Sequence, residues 1–219
     1  DQQLATDAVG RATRYQDEDG AEKSQTMRSE TAKMLSGVPL PAIDATDRLL
    51  ATNDGLVIGG AHREEPFFSW ATKNMERLHG NGVRTFYLES LREDAHQRLV
   101  DEYLTSGDMS PELTNFCQNY NSAHAVDLAA FLSMAQRTGV RVKGTGGRPA
   151  RTQGMNLHSR ATLLNTYGEQ VVERDRAKSI ASGEEPGKYL MQVGEAHAKT
   201  HTNPQSTPAI AGGVTLPDQ

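Results

Sequence analysis

The chain has 219 residues, of which 36% are hydrophobic and 23% charged, with a formal net charge of −5. That balance suits one core-forming domain, or at most two small ones, and the lack of a clustered Lys/Arg run excludes a generic nucleic-acid binder. No apolar stretch approaches the roughly 18–20 residues that cross a bilayer, so no transmembrane segment is expected.

Residues 1–30 are polar and nearly free of large aliphatics, and they read as a weakly ordered leader or a marginal helix. They contain no basic-then-apolar export signal. The chain starts at Asp1 rather than Met, so residues ahead of it are expected to have been removed. "SETAKMLSGV" predicts a helix stopped by Gly37, with Pro39 and Pro41 beyond it. Residues 1–40 are therefore set apart as a leader plus helix, and 41–219 as one α/β domain. "DATDRLLATNDG" predicts a short helix capped by Asp44 and left at Gly55.

From there strands and helices alternate. "LVIGG" (56–60) is a short apolar run bounded by Gly, the pattern of a buried strand. "PFFSWATKNMERLHGNG" opens with Pro66 and carries Phe68, Met75 and Leu78 at helical spacing. "VRTFYLES" (83–90) is a second strand, and "REDAHQRLVDEYLTSG" a helix with Leu99, Tyr103 and Leu104 on one face. "SPELTNFCQNY" predicts a helix with Ser110 as cap and Pro111 first. It contains the single cysteine, Cys117, which permits no intrachain disulfide and reads as a plain buried or half-buried thiol, in keeping with a reducing compartment or with folding that never depended on oxidation. "AVDLAAFLSMAQRTG" is an apolar helix closed by Gly139. "VRVKGT" (140–145) is the third strand and "GGRPARTQG" (146–154) a Gly/Pro-rich loop. "NLHSRATLLNTYGEQVVERDRAKSIA" is a long helix, "KYLMQVG" (188–194) the fourth strand, and residues 209–214 a last short one. The alternation predicts an α/β fold with a central, mostly parallel sheet and helices on both faces.

Two strand exits share a pattern. "GGAH" ends in His62 and "GEAH" in His197, each after an apolar run and a Gly. Ligands of open parallel sheets bind beyond the carboxyl ends of the strands, and Gly permits a sharp turn there. If these strands are neighbours, both imidazoles face one cleft, with Glu89 at the end of "FYLES" beside them and Glu195 two residues before His197. Such a set can run general acid–base chemistry near neutral pH. Arg63 can point into the same cleft and hold an anion. His197 and His201 in "HAKTH" have an i, i+4 metal-ligand spacing, but Thr200, Thr202, Asn203 and Pro204 argue against a helix there. "VKGTGGRP" has neither the spacing nor the ending of a phosphate-binding loop, and reads as a loop bordering the cleft.

These motifs, in this order, resemble the superfamily that groups erythromycin esterases, haem-uptake ChaN-like proteins, Tiki/TraB proteases and related domains of bacterial toxins and effectors. The matching parts are "GGAH" (59–62), "YLES" with Glu89, "HSRATLLN" with Arg160, and "GEAH" with His197, and the similarity runs from about residue 55 to 215. The sequence departs from the family at Gly60, which stands where the first motif has Glu. The resemblance implies an EreA/ChaN-like fold and a hydrolase-like cleft. In that cleft His62 is general base on water, and His197 a second base or charge stabiliser. Glu89 orients them, with Glu195 alongside, and Arg160 holds an anionic or carbonyl oxygen. Within the superfamily the similarity is to a plant-pathogen type III effector that triggers host cell death. That implies export without a signal peptide, action in the host cytoplasm, and a host protein or small molecule as partner. No cofactor is implied by this reading. The alternatives are an inactive binding module on the same fold, or binding of haem or a divalent metal through His62 or His197.

Overall fold

The computed structural model describes residues 41–60, 66–124, 126–147, 157–194 and 213–215. In chain order the elements are α1 (Ala42–Thr52), β1 (Gly55–Gly60), α2 (Pro66–Gly80), β2 (Val83–Arg92), α3 (Glu93–Ser106), α4 (Pro111–His124), α5 (Leu128–Thr138), β3 (Arg141–Gly146), α6 (Leu157–Ala181), β4 (Lys188–Gly194) and β5 (Gly213–Thr215). The strands form one five-stranded sheet in the order β3-β2-β4-β1-β5. Every pairing is parallel. The expected alternation therefore closes into the expected sheet. β4, late in the chain, lies between β1 and β2.

The helix boundaries follow local chemistry. Asp127 accepts a hydrogen bond from the Ala130 amide and starts α5, while Gly139 at φ 71° ends it in the left-handed region that suits glycine. Gly107 at φ 81° closes α3 in the same way. Ser110 Oγ accepts from the Leu113 amide at 3.2 Å, the cap its position predicts. The expected cap at Asp44 is not made. α1 begins two residues earlier, behind Pro41 and without a side-chain cap. Asp44 instead pairs with Arg77 of α2 at 2.5 Å, because one turn into the helix its carboxylate faces the neighbouring helix. Gly55 opens β1 rather than closing α1. The last strand lies at Gly213–Thr215, three residues long and later than the expected 209–214.

The two faces of the sheet are covered differently. Leu56, Ile58, Phe86, Leu88, Val142 and Leu190 point to one face, against buried side chains of α1, α2, α3, α4 and α5. Phe67, Phe68, Phe86 and Phe131 lock together edge to face there, with ring centroids 5.3 Å apart for the Phe68–Phe131 and Phe86–Phe131 pairs. Val57, Tyr87, Met191 and Val193 point to the other face, where Val172 of α6 joins them.

Polar ties complete the seat of α6. Asp175 Oδ2 accepts from the Tyr87 hydroxyl at 2.8 Å, and Asp175 Oδ1 from Arg141 Nη1 at 3.0 Å. Arg141 Nη2 also donates to Thr85 Oγ1 at 2.8 Å. Burial, then the hydrogen bond to Asp175, pushes the Tyr87 phenol well above its ordinary range and keeps it a donor.

Candidate functional site

The site is built from strand ends. β1 and β4 are hydrogen-bonded neighbours, and their last residues, Gly60 and Gly194, are register partners. The exits that lead to His62 and to Glu195 and His197 thus leave the sheet side by side. The condition set on the sequence, that these strands be neighbours, is met. His62, Arg63, Glu195, His197 and His201 themselves lie outside the described residues, as does the side chain of Arg160, whose backbone lies in the first turn of α6.

Glu89 is the described member of the set. Leu88 pairs with Gln192 as the last rung between β2 and β4. Beyond it the register of β2 shifts, and its next pairing is Arg92 with Gly146 of β3. The Gly194 amide faces β2 where no ladder carbonyl follows, and Glu89 Oε2 accepts its hydrogen bond at 2.6 Å. A half-buried carboxylate thus anchors the segment that carries Glu195 and His197. Charge-assisted hydrogen bonds of this kind are the stronger class. Glu89 lies just past the last rung between β2 and β4, where its carboxylate accepts from a backbone amide.

The glycines at the end of β3 have a packing role. A Cβ at Gly146 would lie 2.2 Å from the Glu89 carbonyl oxygen, and one at Gly144 would lie 2.5 Å from the Leu91 carbonyl oxygen. A Cβ at Gly147 would lie 2.7 Å from the Tyr167 ring. Bare backbone is needed because the end of β2 and α6 press against β3. Gly146 itself belongs to β3 rather than to the loop expected from 146. Tyr167 is held in turn, its hydroxyl donating to Glu93 Oε2 at 2.7 Å, with Arg174 paired to the same carboxylate. Burial and Glu93 together raise the Tyr167 phenol above its ordinary range. Gly60 differs from the β3 glycines: among the described residues no atom lies within 4 Å of where its Cβ would stand.

Gln192 was not singled out from sequence. It is 3% exposed, sits between Ile58 and Leu88 two residues before the end of β4, and among the described residues its Oε1 has no hydrogen-bond partner. The signal was available, as the polar residue inside the apolar run "YLMQV". Cys117 is buried, and burial, then the charge of Asp127, pushes its thiol up to about 11, so it offers no nucleophile at neutral pH. Among the described residues no group of three His, Cys, Asp or Glu could hold a metal ion, and no helix is long and apolar enough to cross a membrane.

No family model matches the sequence. The chain is 29% identical over 177 residues to the multifunctional-autoprocessing repeats-in-toxin protein of Vibrio vulnificus, an alignment that spans 77% of this chain and 3% of that protein. In fold it is similar to RRSP, a MARTX toxin effector domain from the same organism, with TM-score 0.63, 22% identity, 92% of this chain and 46% of that one. It is also similar to the type III effector HopBA1, with TM-score 0.58, 16% identity, 79% of this chain and 80% of that one. The architecture is thus one found in bacterial toxin and effector domains.

Proposed function

We propose that the protein is a bacterial effector that acts in the host-cell cytoplasm through a hydrolase-like cleft at the carboxyl rim of its sheet. The observation that carries this reading is the register of Gly60 with Gly194, joined to the Glu89 carboxylate on the Gly194 amide. His62 and His197 follow those two glycines by two and three residues. In the proposed chemistry His62 takes a proton from water as the water adds to the substrate's carbonyl carbon, the bond to the leaving group breaks and the proton passes to that group, while His197 acts as a second base or stabilises developing charge. Glu89 positions the segment that carries His197, with Glu195 beside it. Arg160 holds the oxygen on which negative charge collects. The readout is death of host cells that express the protein. His62→Ala and His197→Ala should each abolish it while melting stays within about 2 °C of wild type, the range of a surface change. Full activity in both variants would overturn the catalytic assignment.

A second reading is favoured by Gly60, which leaves the first motif without its carboxylate. In that reading the fold is kept as a binding module for a host protein. Such a module tolerates His62→Ala and fails instead on substitutions of its exposed face.

A further inference from the structure

α3 follows β2 without a loop, and the residue before it, Arg92, makes no side-chain capping hydrogen bond. His96, one turn into α3, reaches back instead. Its Nδ1 accepts from the Arg92 amide at 3.1 Å. This is the returning half of a capping box, made by an imidazole where a Glu or Gln side chain ordinarily stands. An amide N–H can only donate, so Nδ1 must be bare and the ring proton must sit on Nε2. The hydrogen bond exists only with the neutral ring.

The surroundings favour that neutral form. The ring is half-buried and lies against Phe116 of α4, with centroids 3.9 Å apart. It also sits near the start of a helix, where the dipole opposes positive charge. Among the described residues three charged groups act on it. Arg92 at the end of β2 opposes a proton, while Asp94 of α3 and Glu112 of α4 favour one. Asp94 is itself engaged by the Arg92 guanidinium, at 2.9 and 2.6 Å. Burial, then the charge of Arg92, holds the ring below its ordinary 6.5. The unfolded ring therefore takes up its proton first as pH falls. The contribution of the cap to stability is full above pH 6.5 and is lost as pH falls from there through the folded value.

We propose that His96 is a proton-sensitive latch on the β2–α3 junction, closed by the neutral imidazole and released when Nδ1 takes a proton. Protonation places an N–H where the Arg92 amide needs a lone pair, so two donors confront each other and the tie is lost. Arg92 is also where β2 resumes its pairing with β3, through Gly146, beyond the register shift. Release therefore loosens the strand exit that begins at Glu89. The latch stands on the cap geometry and does not rest on the chemistry proposed for the cleft.

The test follows two signals from about pH 7.5 to about pH 5, the window of an ordinary imidazole: the nitrogen-15 shifts of the His96 ring, and amide exchange at Arg92 corrected for its intrinsic pH dependence. At the upper end the ring should be the Nε2–H tautomer. On acidification its protonation and a roughly tenfold fall in Arg92 protection should share one midpoint, tenfold being the worth of one net hydrogen bond. His96→Gln supplies an oxygen that accepts without titrating, and its Arg92 protection should not change across the range. A ring protonated at Nδ1 at the upper end, a ring still neutral at the lower end, or Arg92 protection that holds while the ring titrates would overturn the proposal. So would a His96→Gln variant that loses Arg92 protection with acid as wild type does.

Discussion

Replacing Glu89 with alanine leaves the buried Gly194 amide without its acceptor. A hydrogen bond to a charged group contributes about 1.5–3 kcal/mol, and the half-buried position of Glu89 places the loss toward the lower end, about 1.5–2 kcal/mol. For a chain of this size each kcal/mol moves the melting temperature by about 2–4 °C, so Glu89→Ala should melt about 3–8 °C lower. Glu89→Gln retains an oxygen that can accept from Gly194 and should lose about half as much. Calorimetry gives the shift, and amide exchange at Gly194 localises it, with fast exchange in the alanine variant and near-native protection in the glutamine variant. In the host-cell death assay the glutamine variant should stay active, because backbone anchoring needs an acceptor rather than a charge. Native melting and native Gly194 protection in Glu89→Ala would refute the anchor. A glutamine variant that is inactive yet protected at Gly194 would show that the charge itself is required.

Two further outcomes follow from the same coordinates. Gly146→Ala must displace the Glu89 carbonyl, 2.2 Å from the new Cβ, and should cost about 1–3 kcal/mol in urea unfolding. Gly60→Ala meets no atom of the described residues and should stay within about 0.5 kcal/mol of wild type, so equal effects at the two positions would refute the packing account. For Cys117, the folded thiol titrates at about 11, above the ordinary 9.0. The unfolded thiol therefore loses its proton first as pH rises, and its stabilising contribution, full below pH 9, fades between 9 and about 11. The stability difference between wild type and Cys117→Val should shrink over that window, and a pH-independent difference would contradict the buried thiol.

Much of the fold could be read because punctuation and hydrophobic period agreed. Gly60, Gly82, Gly139 and Gly194 mark strand or helix ends, and the apolar runs between them had strand or helix lengths. The neighbouring of β1 and β4 was only a condition, since pairing between strands so far apart in the chain leaves no local trace. The register shift in β2 was hidden for the same reason. It arises where β2 meets β3, and only there does Glu89 gain the Gly194 amide as partner. Asp44 misled because Asp near a helix start suits both a cap and an ion pair, and Arg77, far along the chain, decided between them. His96 gave no signal at all, since an imidazole on a helix surface looks the same whether it meets water or a backbone amide.

The position of β4 has a consequence in time. Its residues are made after those of β1, β2 and β3, yet it lies between β1 and β2. Until residues 188–194 emerge, a growing chain holds β1 apart from the β2–β3 pair, and their inner edges stay open. Insertion of a middle strand by contacts distant in sequence is slow. A chain cut before Lys188 should yield two unjoined fragments of sheet rather than a smaller version of the same protein, and proteases should find this protein most vulnerable in the interval before that strand arrives.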